Sequence, residues 1–111
     1  MDKKKIGQIG EDLVTKYLIN KGFSILNKNY RYKKNEIDII AQKDDRICFI
    51  EVKKRKDNQF GFPETFVSEG QKSRIHIAAE NFIIENNWEG KIRFDIAAVN
   101  EDNIEYFEDA F

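Results

Sequence analysis

The chain has 111 residues, 41% of them hydrophobic and 35% charged, with one Pro, six Gly, nine Phe and a single Cys. That length suits one domain, residues 1–111, with a core large enough to fold without staples, and so many Phe beside so little Pro and Gly exclude a disordered, collagen-like or low-complexity chain. No apolar run approaches the roughly 20 residues that cross a bilayer, and the basic start at Met1 leads into no apolar signal core. One cysteine, Cys48, permits no internal disulfide, so a cytoplasmic protein without a membrane partner is expected. The net charge of −1 hides a division: residues 1–56 carry 15 Lys and Arg against 8 Asp and Glu, and residues 57–111 carry 4 against 12. Such asymmetry points to a surface that faces a polyanion.

Residues 5–21 read as an amphipathic helix, with Ile6, Ile9, Leu13 and Tyr17 at steps of three or four, joined by Gly10, Val14 and Leu18. Gly22 supplies a stop. A first strand follows over residues 23–30, with Phe23 and Ile25 on one face, and residues 33–35 make a turn. Two stronger strands, Glu36 to Gln42 and Arg46 to Lys54, flank the polar Lys43-Asp-Asp-Arg46. Residues 55–68 hold the only Pro and read as an irregular connection. A second helix is expected from Glu69 to Asn86, with Ile75, Ala78, Ala79, Phe82 and Ile83 as its apolar stripe. Asn86 to Gly90 breaks it, and Trp88 anchors the loop. Lys91 to Val99 alternates as another strand, and Ile104 and Tyr106 mark a short last one. The order helix, strands, helix, strand describes an α/β domain, a mixed sheet with helices packed on it.

The central strands make a hairpin folded symmetrically about Asp44-Asp45, so residues whose numbers add to 89 lie opposite one another. Asp38 then faces Glu51, Glu36 faces Lys53, and Ile40 faces Phe49. On the other side Ile37 faces Val52, Ile39 faces Ile50, and Ala41 faces Cys48, a wholly apolar face that reads as core and fixes the register. Two carboxylates directly opposite on one face repel each other. A divalent cation resolves that conflict, because Mg²⁺ is commonly held by one or two carboxylates with waters and phosphate oxygens. Lys53, two residues past Glu51, points to the same side, where it can hold a phosphate or orient an attacking water. Such a set can hydrolyse a phosphodiester. Without a cation, the same face is a solvated surface with weak Glu36–Lys53 and Glu51–Lys53 ion pairs.

At these residues the sequence resembles the PD-(D/E)xK nuclease superfamily, with Asp38 as the first acid and Glu51-Val-Lys53 as the (D/E)xK element. More closely, it resembles the bacterial YraN family, and more distantly the archaeal Holliday-junction resolvases. The stretches that carry the resemblance include Gly7-Gln-Ile-Gly-Glu11, Asn29-Tyr-Arg31, Glu36 to Ala41, Phe49 to Arg55, Phe60-Gly61, Gln71-Lys72, Phe94-Asp95 and Ile104 to Phe111. It covers essentially the whole chain. Two departures stand out: Asn35 replaces the Gly usual before the Glu-Ile-Asp run, and Ile37 stands where the superfamily name has Pro. Asn tolerates a left-handed backbone, so the turn is expected to survive.

The resemblance implies a restriction-endonuclease-like fold with an α-β-β-β-α-β core, a Mg²⁺ or Mn²⁺ cofactor on Asp38 and Glu51, and a catalytic set of Glu11, Asp38, Glu51 and Lys53. Glu11 follows Gly7 and Gly10, whose small side chains let the helix approach the sheet; without the resemblance it reads as a surface glutamate. Arg31, Lys54, Arg55 and Lys72 are the candidate nucleic-acid contacts, with Lys33, Lys34, Lys56 and Arg74 as neighbours whose charge suits phosphates. His76 has no second His or Cys at ligand spacing and reads as structural. The expected function is metal-dependent hydrolysis of DNA, branched or flapped, and cutting a junction requires two active sites and hence a homodimer. The alternative is an accessory nucleic-acid-binding module that keeps the fold without the chemistry, a reading favoured by the near-neutral total charge.

Overall fold

The computed structural model describes residues 3–55 and 67–111, with side chains from Gly7 onward in the first helix. Helix α1 (Lys3–Asn20) leads into three antiparallel strands, β1 (Ser24–Tyr32), β2 (Asn35–Lys43) and β3 (Arg46–Lys54). Helix α2 (Glu69–Glu85) crosses over to β4 (Lys91–Asn100), and β5 (Asn103–Phe107) closes the sheet. The strand order is β1-β2-β3-β4-β5, antiparallel throughout except for the parallel β3–β4 pair that α2 connects. The result is a mixed α/β fold, a five-stranded sheet with α1 on one face and α2 on the other. Among the described residues no helix is long and apolar enough to cross a membrane.

Local chemistry sets the element ends. Gly22 (φ 95°) ends α1: its N–H donates to the Ile19 carbonyl at 3.0 Å and the Phe23 N–H to that of Leu18 at 3.0 Å, the paired bonds of a Schellman stop. Ser68 caps α2, its Oγ accepting the Gln71 N–H at 3.1 Å. The β1–β2 turn takes its left-handed residue from Lys33 (φ 58°), and Asn35 opens β2 without a positive φ. The expected role of Asn35 as the turn's left-handed residue therefore falls to Lys33. After α2, Trp88 Nε1 donates to the Lys91 carbonyl at 3.0 Å, anchoring that loop as expected.

The β2–β3 register is the one read from the sequence: Ile39–Ile50, Ile40–Phe49, Ala41–Cys48, Gln42–Ile47 and Lys43–Arg46 are partners. Both faces of the hairpin are core, however. Ile39, Ala41, Cys48 and Ile50 pack under Val14 and Leu18 of α1, while Ile40, Ile47 and Phe49 pack under Ile75, Ala78, Ala79 and Phe82 of α2. The Ile40–Phe49 side is thus no solvated face, because the β3–β4 crossover lays α2 across it. Ile37 is a second correction. Strict alternation puts it with Ile39, yet it packs in the α2 cluster with Ile40. In α1 the buried pair is Val14 and Leu18, whereas Ile9, expected in the apolar stripe, is 49% exposed.

The other end of the chain is tied down by one buried carboxylate. Asp95 on β4 is fully buried; Arg93 donates to it from Nε at 2.9 Å and Nη2 at 3.1 Å, Tyr106 Oη at 2.6 Å, and the Asp109 N–H at 2.8 Å. A charge this deep is stable only when so fully satisfied. His76 lies on the exposed side of α2 against the rings of Phe94 and Phe111, a packing role.

Candidate active site

The site forms where the β2–β3 ladder gives out. Beyond Ile39–Ile50 the regular pairing stops, and the Asp38 side chain takes the place of the next backbone acceptor: its Oδ2 receives the Val52 N–H at 2.8 Å. Asp38 therefore sits beside Glu51 as the symmetric register requires, although the two are not ladder partners. Glu51 is 8% exposed. Burial, then the adjoining Asp38, push its carboxyl up to about 9, so that near neutrality it holds a proton beside its neighbour.

Two clefts share this pair. One, of about 430 Å³, opens on the α1 side and takes in Glu11, Asn29, Glu36 and Lys54. The other, of about 310 Å³, opens on the α2 side and takes in Lys34, Gln71 and Arg74, with Glu36 common to both. Carboxylates predominate at the α1 mouth, where Glu11, Glu36 and Glu101 stand with one cation, Lys54, while Lys34 and Arg74 line the α2 mouth. Neither glycine is required for α1 to approach the sheet: a Cβ on Gly10 would lie in ordinary contact, 3.8 Å from Val52 Cγ1, and one on Gly7 would meet nothing within 4 Å, so the expected role of these small residues is not needed. Glu11, half-buried, has its carboxyl raised by burial and then by Asp38, against the lowering influence of Lys28.

Asn29 joins the acids, a role not read from the sequence. It adopts φ 56°, and with its amide oriented to donate, its nitrogen lies 2.7 Å from Glu11 Oε1 and 3.2 Å from Glu36 Oε1. Asn is among the few residues that accept this backbone region readily, which was the available clue. Gln71 was also unassigned: its Oε1 accepts from Lys53 Nζ at 3.2 Å, drawing the ammonium toward α2.

The structure thus brings Glu11, Asp38, Glu51 and Lys54 to one cleft, with Lys53 tethered beside the pair. The expected Glu36–Lys53 partnership is absent; Glu36 Oε2 accepts from Arg31 Nη2 at 3.1 Å across the β1–β2 hairpin. Arg31 is otherwise exposed at the rim. Lys72 pairs with Glu69 one turn back at 3.2 Å. Arg55 points the other way, to Glu105 on β5 at 2.9 Å. Lys56 and Phe60-Gly61 lie outside the described residues.

Among the described residues no set of three or more His, Cys, Asp or Glu side chains converges in ligating geometry. The donors on offer are the pair Asp38 and Glu51, and their chemistry suits a hard divalent cation, which takes carboxylate oxygens and completes its shell with waters. A cation would also relieve the repulsion and burial that hold Glu51 protonated.

Fold and site together define a small α/β domain with a carboxylate pair, one member buried and one half-buried, reached from both sides of its sheet. The chain belongs to the uncharacterised protein family UPF0102, the YraN family, whose model matches residues 10–99. It is 41% identical over 104 residues to a UPF0102 protein of Cytophaga hutchinsonii, spanning 94% of this chain and 92% of that one. It is 43% identical over 114 residues to one from Clostridioides difficile, covering all of both chains. A Clostridium perfringens relative is 46% identical over 98 residues, 87% of this chain and 80% of its own.

Proposed function

We propose that this protein is a divalent-metal-dependent nuclease that hydrolyses DNA phosphodiester bonds, and that its sheet with flanking helices is the restriction-endonuclease-like core of the PD-(D/E)xK enzymes. The observation that carries the reading is the half-buried Asp38 set beside the buried Glu51, with Lys53 two residues on. A structural role gives no reason to press two carboxylates together inside a sheet.

Asp38 and Glu51 would hold Mg²⁺ or Mn²⁺. When bound, the metal supplies charge neutralisation at the phosphoryl oxygens and a more acidic water. The Val52 N–H fixes the Asp38 carboxylate. Lys53, released from Gln71 or shared with it, positions the phosphate or the water. Glu11, oriented by Asn29, lies in the same cleft, where its carboxylate would accept a hydrogen bond or a proton from an attacking water. The asymmetry of the two clefts supports a division of labour in which the carboxylates of the α1 side would face a cation and Lys34 and Arg74 on the α2 side would meet the phosphate backbone. Branched or flapped DNA is the proposed substrate class, with paired cuts at a junction made by a homodimer.

The test is cleavage of labelled duplex, single-stranded, flapped and four-way DNA with Mg²⁺ or Mn²⁺. Metal-dependent cutting by the wild-type protein and none by Asp38→Asn is the expected result. Equal cutting by the variant would overturn the reading, and salt-sensitive binding without cutting or metal dependence would favour the accessory module.

A further inference from the structure

At the opposite end of the β2–β3 hairpin lies a separate cleft of about 440 Å³. Five residues of β2 lie between Asp38 and its rim at Asp44, six steps or roughly 20 Å at about 3.3 Å per residue. Its walls are the last turn of α1, the entry to β1, the β2–β3 turn and the neighbouring stretches of β4 and β5, and it gathers Lys21, Lys43, Arg46 and Arg93. Two carboxylates line it as well, Asp44 and Glu108.

Only one of the four cations is neutralised. Arg93 is held by Asp95 and lies 3.4 Å from Glu108. Lys21, Lys43 and Arg46 have no carboxylate at ion-pair distance among the described residues. Their placement comes from elsewhere. Lys43 Nζ donates to the Lys21 carbonyl at 2.8 Å and lies 5.7 Å from the Phe23 ring centroid. Lys21 Nζ lies 5.5 Å from that of Tyr17. A carbonyl and two ring faces hold these ammonium groups in position without cancelling their charge. At its floor, burial pushes the Cys48 thiol up to about 12, so this side chain adds no charge, and the Asp95 carboxylate behind it is taken up by Arg93.

Two positioned ammonium groups thus stand beside the Arg46 guanidinium, none with a carboxylate at ion-pair distance among the described residues. In a cleft of ligand size they are suited to a compact dianion, and the planar fork of Arg46 matches phosphate oxygens two at a time. We propose that this cleft binds a phosphomonoester, either the terminal phosphate of a nucleic-acid strand or that of a free nucleotide. The site requires neither the carboxylate pair nor a metal, so it stands apart from the nuclease reading.

Binding is measured by fluorescence anisotropy in EDTA, with a short single-stranded oligonucleotide carrying a 5′-phosphate, the same oligonucleotide without it, and a nucleoside 5′-monophosphate as competitor. The phosphorylated strand is expected to bind at least about tenfold more tightly. Lys43→Gln and Arg46→Gln, checked for folding by thermal denaturation, each shrink that preference, while Asp38→Asn keeps it. Competition by the mononucleotide identifies a free nucleotide as a sufficient ligand; its failure to compete identifies a strand end. Equal affinity for the two strands with no mononucleotide binding overturns the proposal, as does a phosphate preference that survives in both variants.

Discussion

Asp38 Oδ2 accepts the Val52 amide at 2.8 Å, so one carboxylate replaces a rung of the sheet just where β2 and β3 part. The bond makes an acid structural and leaves it at the rim of two clefts. It also separates the fold from the chemistry in a way that substitution can probe. Asparagine keeps an acceptor oxygen for Val52 and removes the charge that opposes Glu51. Asp38→Asn is therefore expected to retain the fold and, without metal at neutral pH, to match or exceed the wild type in urea resistance. Asp38→Ala, which leaves the half-buried Val52 N–H without this partner, is expected to lose about 1–2 kcal/mol. Urea unfolding of the two variants side by side checks this.

The position of Glu51 sets a pH dependence. Folding raises its pKa from 4.5 to about 9, so the native state favours the protonated form. Its contribution is fully present below about pH 4.5 and is lost as pH rises toward about 9. The wild-type urea midpoint is expected to fall across that window more steeply than that of Glu51→Gln. Added Mg²⁺ is expected to restore stability at the alkaline end in the wild type alone. Parallel pH profiles for the two proteins would contradict this account.

Asn29 orients Glu11 while its own backbone sits at φ 56°. Glycine tolerates that conformation but lacks the amide. Asn29→Gly is expected to stay within about 1 kcal/mol of wild-type stability and to lower metal-dependent DNA cleavage about tenfold or more. Asn29→Asp, which adds a further carboxylate to the cluster, is expected to lower it at least as far. Cleavage rates for both, read beside their melting curves, decide the matter.

Gly90 tests the packing behind the β2–β3 turn. A Cβ there would fall 2.4 Å from Trp88 Cζ2 and 2.6 Å from the Asp45 carbonyl oxygen. That carbonyl is already fixed, accepting the Lys91 N–H at 2.8 Å, so the strain has no cheap outlet. Gly90→Ala is expected to destabilise the protein by about 1–3 kcal/mol, measured as a shift in urea midpoint at unchanged slope.

Much of this architecture was legible in the residues themselves. Alternation in β2 and β3, with Asp44-Asp45 between them, left one register that buries Ile39, Ala41, Cys48 and Ile50 together, and the structure has it. Gly22 ended α1 because a positive φ was needed there, and the Ile75 to Phe82 stripe marked the buried side of α2. These are local signals with periods of two or 3.6 residues, and they depend on nothing far away in the chain.

What the pattern could not supply was where the regularity fails. Ile37 changes sides, Glu36 turns to Arg31, and Asp38 bonds Val52 because the strands separate there, and a period-two reading assumes that they do not. Nor could spacing show that Asn29 reaches Glu11 or that Gln71 reaches Lys53, since those contacts join elements that only packing brings together. The sequence determined the acids and the strands that carry them. The tertiary structure decided their surroundings, because burial, mouth charge and hydrogen-bond partners come from α1 and α2 closing on opposite faces of one sheet.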